Sequence, residues 1–128
     1  MGSTEYIYVL GDGDKIREKV EFYLFNHNLE ALTSFSQSLT NAISELADLA
    51  ISTMNAQVII AGGDDVLFLV PRKKYRRELI QKLQETFRRT TGITISFGIG
   101  DTIEEVFINL RKAKTAQDDK IVEGISND

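Results

Sequence analysis

The chain has 128 residues, 42% of them hydrophobic and 27% charged, within the range of a globular domain long enough to bury a core without staples. It contains no cysteine and one histidine, His27, which excludes a disulfide framework, thiolate chemistry and Cys/His zinc sites and leaves carboxylates as the plentiful ligands for a hard divalent ion. A net charge of −4 argues against duplex nucleic acid held by broad positive potential.

Tyr6-Ile7-Tyr8-Val9-Leu10 reads as a buried strand running into a Gly11-Asp12-Gly13-Asp14 turn. Ile16, Val20, Tyr23 and Leu24 then mark an amphipathic helix over Lys15 to Asn26, with Asp14 as its expected cap. A loop containing His27 leads to a longer helix, capped by Asn28 and running to about residue 54 on Leu32, Phe35, Leu39, Ile43, Leu46, Leu49 and Met54. Two strands, Val58 to Ile60 and Val66 to Val70, flank the tight turn Gly62-Gly63-Asp64-Asp65.

After Pro71, Tyr75, Leu79, Ile80, Leu83 and Phe87 mark a helix ending near Gly92. The eight basic residues between Arg72 and Arg89 read as its solvated face. Ile93, Ile95, Phe97 and Ile99 alternate as a strand, and Asp101 with Glu104 stands in capping-box spacing before a last helix over about 102–117. The tail is polar apart from Ile121-Val122, a candidate edge strand. The Tyr and Phe residues at these spacings are assigned to the core; aromatic stacking of RNA by Tyr6, Tyr8, Phe68 and Phe97 lacks the accompanying RNP1 pattern. One domain over 1–128 is expected, with its core at about 5–117. No apolar run approaches the ~18 residues of a bilayer span and no signal-peptide pattern opens the chain, so the expected location is the cytoplasm.

The order contains βαββαβ, which predicts an α+β, ferredoxin-like antiparallel sheet with helices packed mainly on one face. In that topology the first strand lies beside the third, so Asp12 and Asp14 should approach Asp64 and Asp65 across about fifty residues of sequence. Each turn alone is explained by the turn and cap preferences of Gly and Asp. Together, four converging carboxylates repel, and divalent cations offset that cost. Two magnesium or manganese ions among these four aspartates suit activation of a ribose hydroxyl against a phosphate. Gly62 and Gly63 leave room for sugar or phosphate, Gly13 lets a main-chain carbonyl face a metal, and the amides of Asp14, Lys15 and Ile16 form a candidate anion cradle, with the Lys15 side chain a further phosphate candidate.

Gly11-Asp12-Gly13-Asp14, Gly62-Gly63-Asp64-Asp65, Ser96-Phe97-Gly98-Ile99-Gly100 and Ala113-Lys114 together resemble the palm domains of GGDEF diguanylate cyclases and of the polymerase-like subunit of type III CRISPR complexes. The Gly-Gly-Asp-Asp form and the chain's extent are most similar to the minimal CRISPR polymerase (mCpol) family. This resemblance implies a cyclase that joins nucleoside triphosphates, ATP in the first instance, into a cyclic di- or oligonucleotide with release of pyrophosphate. It further implies two divalent ions held by Asp12, the Gly13 carbonyl, Asp64 and Asp65, and a triphosphate held by Lys114. The family context implies anti-phage defence, with the product read by a separate membrane-associated effector. Asp65-Val66 replaces the Glu-Phe of GGDEF cyclases, so guanine selectivity does not transfer, and Asn26 and Asn28 are only loosely alignable with their base-reading residues. One small palm holds two substrates face to face poorly, so a homodimer or higher oligomer is expected. The alternatives are a silent ATP-binding regulatory module and a linear oligonucleotide polymerase on the same palm.

Overall fold

Alternating and β-branched residues set the sheet of the computed structural model, which describes residues 5–116 and 119–126. In chain order the elements are β1 (Tyr6–Gly13), α1 (Ile16–Phe25), α2 (Leu29–Met54), β2 (Gln57–Gly62), β3 (Asp65–Pro71), a 3₁₀ turn (Arg72–Lys74), α3 (Arg77–Thr91), β4 (Ile95–Gly100), α4 (Ile103–Thr115) and β5 (Ile121–Gly124). The five strands are ordered β2-β3-β1-β4-β5. The first four pair antiparallel in the expected ferredoxin-like arrangement, and β5 adds to β4 in parallel. Among the described residues no helix is long and apolar enough to cross a membrane.

Register decides what each face carries. Val9 stands between Phe68 and Ile99, and Gly11 between Val66 and Phe97. These side chains join Ala42, Ile43, Leu46 and Met54 of α2 and Ile80, Leu83 and Phe87 of α3 in the main core. The neighbouring positions face the other way: Leu10 pairs with Leu67 and Gly98, and Asp12 with Asp65 and Ser96. On that second face lies α4, which buries Val106, Asn109 and Ala113. The expectation of helices mainly on one face thus holds for α2 and α3, while α4 covers part of the other.

Every residue of β4 is buried although its hydrophobics alternate. The reason is Gly98: a Cβ there would lie 2.3 Å from the Leu110 amide nitrogen and 2.5 Å from the Val106 carbonyl oxygen, so α4 rests directly on the strand backbone.

Several local expectations change. β1 does not stop at Leu10; it continues through Gly13, because Gly11 and Asp12 find ladder partners on both sides and Gly13 pairs with Ile95 of β4. Asn28 caps α2 as expected, its side chain accepting from the Ala31 amide at 3.1 Å. Asp14 does not cap α1; Lys15 takes the cap position with φ 58°, and no side chain bonds there. Asp101 does not cap α4 either; Thr102 does, accepting from the Glu105 amide at 3.2 Å, while Asp101 pairs with Arg72 and accepts the Ser126 amide.

The basic run is also less solvated than its composition suggests. Arg72 donates to the Ser126 carbonyl at 2.9 Å, Arg77 donates to Glu123 at 2.9 Å and pairs with Asp119, and the Tyr75 hydroxyl donates to Glu123. This clasp fixes the segment around β5, the edge strand expected at Ile121-Val122, and Ile121 is buried in the core. Conversely, Tyr6 and Phe107 are exposed, contrary to their assignment to the core, and so are Phe22 and Phe25 of α1.

Candidate active site

The acid edge forms where β1 and the β2–β3 hairpin end together. Gly62 and Asp65 still pair, which leaves Gly63-Asp64 as a two-residue turn with φ +61° at Gly63. The Gly13 amide donates to the Asp64 carbonyl at 2.9 Å and ties the hairpin tip to the end of β1. Carboxylate oxygens of Asp12, Asp64 and Asp65 thereby come within 4.8 Å of one another, the first two half-buried and Asp65 exposed.

Burial pushes the Asp12 carboxyl above its ordinary value; the neighbouring Asp64 charge adds to this, and Lys114 offsets it only in part. Three carboxylates held this close, at the ends of hard-ligand turns, fit a divalent cation such as magnesium or manganese. A Cβ placed on Gly62 or Gly63 would meet nothing within 4 Å, so the tip is open to a ligand. Two adjoining shallow pockets of about 240 and 280 Å³ lie between α2 and this tip, sharing Thr40 and Gly63 and lined also by Ser36, Ser44 and Asp48.

The fourth carboxylate takes another course. Asp14 is buried at 7% exposure, with Oδ2 accepting from Thr94 Oγ1 at 2.7 Å and Oδ1 from Ser96 Oγ at 2.8 Å. Burial would raise its pKa, but those two hydroxyls and Lys114 outweigh it and hold the carboxyl below its ordinary value. Three acids converge, therefore, and the expected fourth is turned into the sheet by hydrogen bonds that neither turn chemistry nor capping foretells. Its amide is also engaged, donating to the Thr94 carbonyl at 2.9 Å, which reduces the expected anion cradle to the amides of Lys15 and Ile16.

Lys114, from the last turn of α4, reaches the same place. Its ammonium donates to the Asp12 carbonyl at 3.0 Å, the Gly13 carbonyl at 2.9 Å and Asp14 Oδ1 at 3.0 Å, and lies 3.0 Å from Asp12 Oδ2. The Gly13 carbonyl, a metal-ligand candidate by resemblance, is here an acceptor for a lysine. Lys120, 3.9 Å from Asp14 Oδ2, is a second cation at this end that the sequence reading missed. It shares a pocket of about 290 Å³ with Asp14, Lys15, Ile93 and Thr94. Thr94 and Ser96 were missed as well; Ser96 stands inside the Ser-Phe-Gly-Ile-Gly motif, and its place opposite Asp12 in the ladder is the signal that finds it. Asn28 is occupied as a cap and the Asn26 side chain donates to the Phe22 carbonyl at 2.7 Å.

The model of the minimal CRISPR polymerase domain matches residues 8–124. No curated protein matches the chain. Among solved structures, a Csm1–Csm4 cassette in complex with cA4 superposes with TM-score 0.68 at 19% identity, over 95% of this chain and 21% of the other. The cassette in complex with one ATP gives 0.66 at 19% identity, over 91% and 20%. The active GGEEF domain of a diguanylate cyclase from Vibrio cholerae gives 0.57 at 13% identity, over 97% and 85%. The chain thus spans about a fifth of the cassette chains and most of the GGEEF domain, and at these identities the likeness is one of fold.

Proposed function

Because this chain belongs to the minimal CRISPR polymerase domain family, we propose that it is a metal-dependent nucleotidyltransferase that joins nucleoside triphosphates into a cyclic di- or oligonucleotide. The observation that carries this reading is the convergence of Asp12, Asp64 and Asp65 beside the open Gly62-Gly63 tip. ATP is the first substrate to try, since ATP and cA4 are the ligands named for similarly folded cassettes.

In each joining step a ribose hydroxyl oxygen bonds to the α-phosphorus of a second nucleotide, the bond to the β-phosphate oxygen breaks, and pyrophosphate leaves with the displaced electron pair. Asp12, Asp64 and Asp65 would hold the divalent ions, with the Gly13 carbonyl as a further oxygen. Such ions lower the pKa of the attacking hydroxyl and neutralise charge on the phosphates. The groove between α2 and the hairpin tip is the size of a nucleoside subsite, and Lys15, Lys114 and Lys120 supply positive charge on the triphosphate side. Among the described residues only one set of three clustered acids is present, while closing a two-nucleotide ring needs each nucleotide to attack the other, so a second copy is expected to face the first across the cleft. We propose anti-phage signalling as the role of the product, to be read by a separate membrane-associated effector, on the strength of the family alone.

The test is incubation with each nucleoside triphosphate and magnesium or manganese, followed by detection of pyrophosphate and of a phosphatase-resistant product by mass spectrometry. A cyclic product from ATP is expected. No product from any triphosphate, with ATP binding retained by calorimetry, would overturn the enzyme in favour of a regulatory nucleotide-binding module. A strict monomer by light scattering with and without nucleotide would overturn the dimer.

A further inference from the structure

Two of the four oxygens around the Lys114 ammonium are the Asp12 carboxylate and the Gly13 carbonyl, each 2.9 to 3.0 Å away. Those are also oxygens that a divalent ion at the acid edge would need. An ammonium and a metal ion cannot use the same lone pairs, and at such separations their charges repel. The other side of the ammonium is different in kind. Asp14 lies beneath the surface, and its two oxygens are aimed by the hydroxyls of Thr94, just before β4, and Ser96, within it. Among the described residues no hydroxyl aims the Asp12 carboxylate in this way; it is half-buried and faces Asp64 and Asp65.

We propose that Lys114 is the built-in counter-ion of the acid edge, holding the Asp12 carboxylate and the Gly13 carbonyl until a divalent ion takes them, with Asp14 as the fixed berth that keeps the displaced ammonium beside the site. The proposal rests on the reading of Asp12, Asp64 and Asp65 as metal-holding residues. Its content is an exchange: the ammonium gives up Asp12 and Gly13, retains Asp14, and turns its freed protons toward the phosphates of the incoming nucleotide. Asp14 is then a positioning residue and not a metal ligand. Metal and triphosphate should bind cooperatively, because each favours the same displaced position of Lys114, and the coupling must be reciprocal.

The decisive measurement is Mn²⁺ affinity by calorimetry, without nucleotide and with a non-cleavable α,β-methylene ATP, for the wild type and Lys114→Met. Without nucleotide the variant should bind Mn²⁺ about tenfold more tightly, since the competing positive charge is gone. With the nucleotide its advantage should disappear, and its affinity for the nucleotide should fall. Unchanged or weaker Mn²⁺ binding by Lys114→Met, alongside measurable binding by the wild type, would overturn the exchange while leaving the acid edge as a metal site. Absence of Mn²⁺ binding in both proteins, with and without nucleotide, would overturn the underlying reading as well.

A second measurement needs no variant to fold. The Lys114 ammonium ¹⁵N signal of the wild type should shift on addition of Mg²⁺ with the same midpoint as metal binding. A signal unmoved at saturating Mg²⁺ would sink the exchange. Asp14→Asn separates berth from ligand: it should weaken nucleotide binding more than Mn²⁺ binding, and the opposite order would make Asp14 a ligand.

Discussion

The acid edge and the clasp around β5 are both built from carboxylates, and they treat them in opposite ways. At the clasp, Glu123 receives Tyr75 and Arg77, Asp119 pairs with Arg77, and Asp101 accepts from Arg72 and the Ser126 amide. At the edge, Asp12, Asp64 and Asp65 crowd within 4.8 Å, and among the described residues only Asp12 is reached by a cation. Paired charges tie a terminal strand to α3. Burial, with the Asp64 charge adding to it, raises the pKa of Asp12, and the crowded like charges do nothing for stability, the arrangement of a site that trades folding energy for a ligand. Within the edge the same contrast recurs over two residues: Asp12 is pushed up and Asp14 is held down, and the hydroxyls of Thr94 and Ser96 make the difference.

The largest effect that could break this comparison is at the edge. Asp64→Asn is expected to lower turnover at least ~1,000-fold, because it removes charge from the ion-holding set, while its metal-free melting temperature stays equal or rises as repulsion on Asp12 is relieved. Steady-state kinetics with thermal melts checks both halves, and a variant that is markedly less stable would show that Asp64 is structural.

Next in size is the seat of α4. Gly98→Ala drives a methyl into the backbone of Val106 and Leu110 and should cost about 3 kcal/mol, read by urea denaturation. It should also weaken nucleotide binding, since Lys114 travels with α4. Wild-type stability would mean that α4 floats on the strand and that Lys114 is not placed by packing.

The smallest effect sharpens the other side. Burial and Glu123 push the Tyr75 hydroxyl well above its ordinary pKa of 10.0. The folded protein therefore binds that proton more tightly than the unfolded chain, so the stability it supplies is fully present below pH 10 and is lost as pH rises beyond. Tyr75→Phe should cost about 1 kcal/mol at pH 8, and the gap should close above pH 10. Denaturation curves across that range decide it, and a gap that persists would assign the effect to packing of the ring.

Much of the architecture follows from local signals. Period-two and period-3.6 hydrophobics place the strands and helices to within a few residues, Asn28 announces α2, and Gly62-Gly63-Asp64-Asp65 announces the hairpin, because each depends on neighbours in sequence. The pairing of Asp12 with Asp65 was legible too, since a βαββαβ order leaves β1 one place beside β3.

What the chain's local pattern could not contain was the partner of each polar group across space. The choice of Asp14 between capping α1 and receiving Thr94 and Ser96 depends on β4, eighty residues away. Likewise, Arg77 reads as a solvated charge until β5 arrives beside it, and Lys114 as a surface lysine until Gly98 lets α4 settle on the strand. Sequence alone determined that Asp12 would meet Asp64 and Asp65 at one sheet edge, though it counted Asp14 among them, because strand order is a matter of periodicity and turns. Only the tertiary structure decided which carboxylates are left to a ligand and which are already spent on a lysine or a hydroxyl, because hydrogen bonds and ion pairs form at about 3 Å between groups that the chain itself keeps far apart.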